Sequence, residues 1–188
     1  MLLRNRGNWN SRVSNSLMVV EMDIMQIIIE ALKFIVPAYC ANAIPVITGG
    51  GSPIDFGKKF FDGKPIFGQN KTYQGFFSGL VIGTVVGLVE SAFFPEYPIT
   101  FGFILSLGAL FGDLTGAFIK RRAGIPPGGL LPIIDQVDFI IGAILFSFPL
   151  SLQFMSLNLI ITVLIMTPPI HVLTNFVAYK IGLKKHPW

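Results

Sequence analysis

Long apolar runs, broken by short polar stretches, set the rhythm of the chain. Five of them are about 20 residues long, enough for a helix to cross a hydrocarbon core. They fall near 25–47, 75–94, 98–119, 133–151 and 157–179. The pattern predicts an all-α integral membrane fold of five transmembrane helices. Nothing between the runs leaves room for a separate soluble domain. Residues 1–188 therefore read as one membrane domain, with 1–22 as an N-terminal extension outside the core. In the second run glycines recur every four residues (Gly75, Gly79, Gly83, Gly87), and Gly108, Gly112 and Gly116 repeat the spacing in the third. Such stripes let helix backbones approach closely in lipid. Because Gly112 and Gly116 flank Asp113, the second stripe is expected to set where that carboxylate points.

Composition agrees with the pattern. Of the 188 residues 52% are hydrophobic and 13% charged, and the mean hydropathy is +0.68, which argues against a soluble protein. A lone cysteine, Cys40, excludes an intrachain disulfide and is read as a small apolar residue of the first span. Net charge is +4, but its placement says more. Lys58, Lys59, Lys64 and Lys71 follow the first run, Lys120, Arg121 and Arg122 the third, and Lys180, Lys184 and Lys185 the fifth; the linkers around Glu96 and over 151–156 hold no Lys or Arg. By the positive-inside rule the N-terminus is outside and the C-terminus cytoplasmic, with large cytoplasmic loops after helices one and three. Arg4, Arg6 and Arg12 run against this orientation; Met18, Met22 and Met25 are alternative starts downstream of them. No cleavable signal peptide is expected, because the first apolar run lacks a compact basic region before it and a cleavage site after it.

Charged groups within the runs carry the candidate chemistry. Glu30 and Lys33 lie one turn apart and are expected to neutralise each other, and Glu90 is read as structural or interfacial. Asp113, Asp135 and Asp138 are different: a carboxylate in or beside an apolar span is costly unless it pairs, lines a wet cavity or binds a cation. Asp113 is placed about six residues before the end of its span, roughly 9 Å deep. Asp135 and Asp138 open the next, antiparallel span, so all three reach a similar depth. Oxygen ligands with no His or Cys nearby favour Mg²⁺ or Mn²⁺ over zinc. In the competing reading the same acids pair with Lys and Arg at a helix start.

The loop over 48–75 is the second informative stretch. It holds three consecutive glycines, four lysines, and Asp55 and Asp62 in Asp-x-Gly and Asp-Gly turns. At about 25 residues it exceeds a bare connection, and Phe56, Phe60, Phe61, Ile66 and Phe67 argue against disorder. These residues would let it fold back on the bundle or skim the bilayer. Glycine amides and lysines suit phosphate oxygens, but no Walker A or GxGxxG pattern is present. Taken alone the loop also suits anionic lipid headgroups. Asn42 is a candidate either for a helix–helix bond or for substrate. Pro168 and Pro169 are expected to kink the fifth span, and His171 is read as structural.

Taken together, the Asn42 to Pro45 turn, the GGGSPIDFGKKFFDGKPIFGQNKTYQG loop and the GD, FIKRR and LPIIDQVDF segments resemble the CDP-archaeol synthases, the archaeal branch of the CTP-dependent phosphatidate cytidylyltransferase superfamily. A looser bacterial pattern also maps here: Lys71, Thr72 and Gly75 on its K-T-x-x-G, Asp113 on its G-D, Lys120 and Arg121 on its K-R, and Asp135 with Asp138 on its D-x-x-D. The segment between Arg121 and Asp135 is shorter and lacks the bacterial K-D and H-G-G, and Gln136 stands in place of an Arg. Both departures favour the archaeal branch.

The resemblance implies transfer of CMP from CTP to an unsaturated archaeal ether-lipid phosphate, with release of pyrophosphate. Asp113, Asp135 and Asp138 would hold Mg²⁺ or Mn²⁺, and Lys71 would stabilise the leaving group. Lys58, Lys64, Lys120 and Arg121 would orient the triphosphate, with Asn42, Asp55, Gly57, Asp62, Gly68 and Thr72 also in the nucleotide site. The site would face the cytoplasm and admit lipid from the inner leaflet. No nucleic-acid partner is expected, and the oligomeric state is not read from the sequence. Two other classes stay open: a CDP-alcohol phosphotransferase, although its D-x-x-D-G-x-x-A-R run is absent, and a cation or proton transporter using the intramembrane carboxylates.

Overall fold

The computed structural model describes residues 24–151, 155–184 and 186. Arg4, Arg6 and Arg12, the starts Met18 and Met22, Lys185 and residues 152–154 lie outside them. Five helices carry the fold: α1 (Ile24–Thr48), α2 (Tyr73–Phe93), α3 (Phe101–Arg122), α4 (Ile134–Ser151) and α5 (Leu157–Lys180). All five are long and apolar enough to cross a membrane. Among the described residues β-structure is confined to two isolated bridges, Pro53 with Thr72 and Lys59 with Pro65, in the loop after α1.

Four helices begin and end within two residues of the apolar runs, but α3 is displaced toward its C-terminal end. It starts at Phe101, whose amide closes a turn onto the Pro98 carbonyl at 2.8 Å, and runs on through Lys120, Arg121 and Arg122. The exposed carbonyls of a helix C-terminus favour cations, so the basic trio extends the helix instead of forming a linker. Asp113 consequently lies nine residues before the end of its helix, a rise of roughly 13 Å, deeper than the sequence suggests.

A core of Phe34 and Ile35 from α1, Phe101 and Leu105 from α3, Phe139 and Ile140 from α4 and Val163 from α5 joins four helices. Helix α2 packs differently: its buried residues are Gly75, Gly79, Gly83, Gly87 and Glu90. With no side chains on that stripe, backbone meets backbone. A Cβ at Gly79 would strike the Ala41 carbonyl, one at Gly83 the Pro37 carbonyl and the Ser106 hydroxyl, and one at Gly87 the Cα of Gly102. The α3 stripe faces α4: Gly108 abuts Gly142, Gly112 abuts the Asp138 carbonyl, and Gly116 lies under the Asp138 carboxylate. This stripe therefore seats Asp138 rather than aiming Asp113. Without a hydrophobic force between helices in lipid, such close contact is what holds them.

At the bundle end remote from the long loop, Lys33 Nζ pairs with Glu30 at 2.9 Å and reaches Glu96 at 3.9 Å, while lying 4.3 Å above the Phe94 ring. The Glu30–Lys33 pair is as the spacing predicts. Glu90, 8% exposed, is buried nearby.

Candidate active site

The loop over 49–72 is folded around one carboxylate. Asp55, only 5% exposed, accepts hydrogen bonds from the amides of Gly57 (2.9 Å), Phe67 (2.9 Å) and Gly68 (2.8 Å). Gly68 takes φ of 99°, a conformation open to glycine, to present its N–H. Burial works to raise the Asp55 pKa, but the amides of Gly68, Phe67 and Gly57 favour the charged form and hold it below the ordinary carboxylate value. Asp55 and Gly57 thus build the loop, with the Asp55 carboxylate turned onto the loop's own amides. Thr72 is similarly engaged: as N-cap of α2 its hydroxyl accepts from the amide of Gly75 at 3.2 Å.

Arg122 fastens this loop to α3. Its guanidinium lies between the rings of Phe60 and Phe118, 4.9 and 4.7 Å from their centroids, pairs with Asp62 at 3.1 Å and donates to the Pro65 carbonyl. Lys64 Nζ returns a bond of 2.8 Å to the Arg122 carbonyl. The aromatic residues therefore do fold the loop back on the bundle, although Phe61 is 98% exposed. Lys58 and Lys59 are exposed.

Between this loop, the end of α3 and the loop over 123–133 lie two adjoining hollows. One, of about 140 Å³, is lined by Lys71, Lys120, Arg121 and Asp135, with Asn70, Phe67 and the Pro127, Gly128, Gly129 turn. The other, about 40 Å³, runs deeper past Asn70, Lys71 and Asp113 to Pro45 and Phe76. Lys71 Nζ spans the two oxygens of Asp113, 2.6 Å from each. Lys120 Nζ stands 2.8 Å from Asp135 Oδ1, whose Oδ2 accepts from the Leu131 amide at 2.9 Å. Asp138 has no such cation: its Oδ1 accepts from the Phe139 amide at 2.7 Å, and the charges acting on it are those of Asp113, Lys71 and Asp135. Arg121 is 4% exposed, and among the described residues its Nε and Nη1 find no hydrogen-bond partner. Buried guanidinium nitrogens are costly to leave unmet, so the hollow they line is one that an anion would complete.

Hence Lys71, Thr72, Asp113, Lys120, Arg121 and Asp135 line the hollows, with Asp138 beside them. Lys58, Asp62 and Lys64 sit outside, the last two in the brace, and Asn42 lines neither hollow. Asn70, between the two, was not singled out by the sequence; its only signal is adjacency to Lys71. His171, read from the sequence as structural, stands 3.3 Å from Asn175 on the α5 face toward Phe139.

For a divalent cation the donor chemistry fits, since the three carboxylates offer hard oxygen and nothing softer. The spacing does not yet make a ligand set: among the described residues no three Asp, Glu, His or Cys side chains gather to hold one ion. Two of the three acids are paired with lysines, as the competing reading expects, and only Asp138 stands apart.

A family model described as CarS-like, CDP-archaeol synthase, matches residues 24–188. Curated relatives carrying the name CDP-archaeol synthase include one from Pyrococcus horikoshii, 46% identical over 87% of this chain and 99% of its own, and one from Methanococcus aeolicus, 43% identical over 89% and 100%. A solved structure described as an intramembrane enzyme for archaeal membrane lipids biosynthesis shares the fold with a TM-score of 0.72 at 32% identity, covering 79% of this chain and 94% of that one.

Proposed function

The chain belongs to the CDP-archaeol synthase family, and on that premise we propose that it transfers CMP from CTP to an unsaturated archaeal ether-lipid phosphate, 2,3-di-O-geranylgeranylglyceryl phosphate, releasing pyrophosphate. The observation that carries this reading is the buried Arg121 with unmet donors, next to Lys71 and Lys120, at a hollow between an ordered loop and two helix ends.

In the reaction an oxygen of the lipid phosphate attacks the α-phosphorus of CTP, and the bond from that phosphorus to the bridging oxygen of pyrophosphate breaks. No new covalent bond to the protein is required, so alignment and charge neutralisation supply the rate. Arg121 and Lys120 take the triphosphate oxygens. Lys71 exchanges its Asp113 partner for the leaving group, a contact that strengthens as negative charge grows on pyrophosphate. Asp113, Asp135 and Asp138 would hold Mg²⁺, which would supply neutralisation of phosphate charge. With Lys71 and Lys120 moved onto phosphate, Asp113 and Asp135 are released for that purpose. The arginine and two lysines at the hollow serve a nucleotide; a cation transporter has no use for them.

Detergent-purified protein should release pyrophosphate from CTP only when lipid phosphate is added, with a rate that rises and saturates with Mg²⁺. Release without lipid, or none with it, would refute the reading. We further propose that the hollows face the cytoplasm. In a Cys40→Ala background, a cysteine replacing Lys64 or Pro127 should react only after the membrane is opened, and one replacing Glu96 should react from outside; the reverse pattern inverts the orientation.

A further inference from the structure

Beyond the helices, the chain doubles back. Gly182, at φ of 80°, ends α5, and the amides of Leu183 and Lys184 both donate to the Ala178 carbonyl, at 2.8 and 3.3 Å. The turn lays the Lys184 side chain back along α5, where Nζ donates to Asn175 Oδ1 at 2.9 Å. Asn175 Nδ2 in turn stands 3.3 Å from the His171 ring, and that ring lies against Phe139, 5.8 Å between centroids. Phe139 directly follows Asp138, so this train of polar groups ends beside the carboxylates.

Lys184 differs from the other cations there. Lys71 and Lys120 each have an aspartate, whereas Lys184, half-buried, is held by a neutral amide. The charges acting on it are those of Lys71, Asp135, Lys120 and Asp113. Burial, and then repulsion from Lys71, lower its pKa, and among the described residues no carboxylate pairs with it directly, Asp135 and Asp113 acting only from a distance. A dianionic phosphate placed against Lys184 would relieve both costs.

Either phosphate of the reaction could in principle fill that place. Position on the bundle selects between them: CTP lies on the Arg121 side, whereas Lys184 is on α5. There Pro168, Pro169, Val172, Leu173 and Phe176 form an open apolar face of the same helix. It offers a hydrocarbon chain a place one turn from the headgroup position.

We propose that Lys184, positioned by Asn175 and His171, binds the phosphate of the acceptor lipid, with one chain of that lipid lying along the Pro168 to Phe176 face of α5. The inference rests on the reading of the chain as a lipid cytidylyltransferase. Lys184→Gln should raise KM for the lipid phosphate at least 10-fold and leave KM for CTP within 2-fold. Asn175→Ala should shift the same constant in the same direction, Lys184→Arg should recover most of the loss, and Lys59→Gln should change neither. In the unmodified protein, acetylation of Lys184 followed by mass spectrometry should slow when lipid phosphate is added and not when CTP is added alone, a readout independent of whether the variants fold. An unchanged KM for lipid in an active Lys184→Gln protein, a shift in KM for CTP instead, or protection of Lys184 by CTP alone would overturn the inference. Inactivity of the wild-type protein with lipid phosphate and CTP would instead overturn the functional reading on which it stands.

Discussion

Both ends of the bundle carry partly buried ion pairs, and they are not alike. At the end remote from the long loop, Lys33 is shared by Glu30 and Glu96 with Glu90 beside it, an acidic surplus with no cavity described among them. At the loop end, Lys71, Lys120, Arg121 and Lys184 outnumber Asp113, Asp135 and Asp138, and two hollows run between them. A lysine–carboxylate pair in a membrane helix thus does not by itself mark a site. What marks the loop end is surplus cation, guanidinium donors left unmet among the described residues, and two hollows beside them.

The sharpest way to break that contrast is to remove one charge at each end. Asp138→Asn and Asp113→Asn should lower turnover by roughly 10²–10³-fold, as loss of a group neutralising transition-state charge does, with Tm little changed. Glu30→Gln should cost activity less than about twofold, because it lies at the end of the bundle away from both hollows. Equal losses at both ends would make all these acids structural.

Lys71→Ala should follow, at about 100-fold in kcat, because its contact strengthens in the transition state. Lys59→Ala, on the outer face of the same loop, should be near neutral. Equal effects in steady-state assays would reduce the loop to a lipid-surface patch.

Gly116→Ala should cost roughly 10-fold, because the added methyl meets the Asp138 carboxylate and displaces it. Gly112→Ala, whose methyl meets the Asp138 backbone instead, should mainly lower Tm, overpacking there costing about 1–3 kcal/mol. Comparing kcat with Tm for the pair separates a moved carboxylate from a separated helix.

The smallest effect concerns stability alone. Asp55→Asn should destabilise by ~2 kcal/mol, the loss of charge-assisted bonds. Because the folded pKa of Asp55 is depressed, its contribution is complete above the ordinary carboxylate range and is lost as pH falls through the depressed value. The Tm gap between wild type and Asp55→Asn should therefore be constant near neutrality and close below about pH 4. A gap independent of pH would show that Asp55 acts by shape and not by charge.

Much of this was legible in the chain, and for definite reasons. A bilayer demands uninterrupted apolar runs, so the helices could be placed within a few residues, and Asp113, Asp135 and Asp138 stand out because charge in or beside such runs is costly, whereas Lys71 and Arg121 take their roles only from the family resemblance. The α3 boundary was misplaced because hydropathy ends a span at its last apolar residue, whereas a helix C-terminus accepts three basic residues with ease. Asp55 was noticed, but an Asp-x-Gly turn looks the same whether its carboxylate faces a ligand or its own loop. Lys184 gave no signal, since its position depends on a reversal at Gly182 that only the folded chain reveals.

The glycine stripe of α2 has a partner series on α3 that grows in size. Gly87 meets Gly102, Gly83 meets Ser106, and Gly79 meets Leu110. Helix separation follows the bulk at the contact, so this series lets the two helices close most tightly at the Glu90 end and leaves more room toward Leu110. Asp113 is the next turn along, and Leu110 and Asp113 both line the deeper hollow. Adding bulk at Gly102 would push the two backbones apart where they touch, a loss of packing read as a lowered Tm.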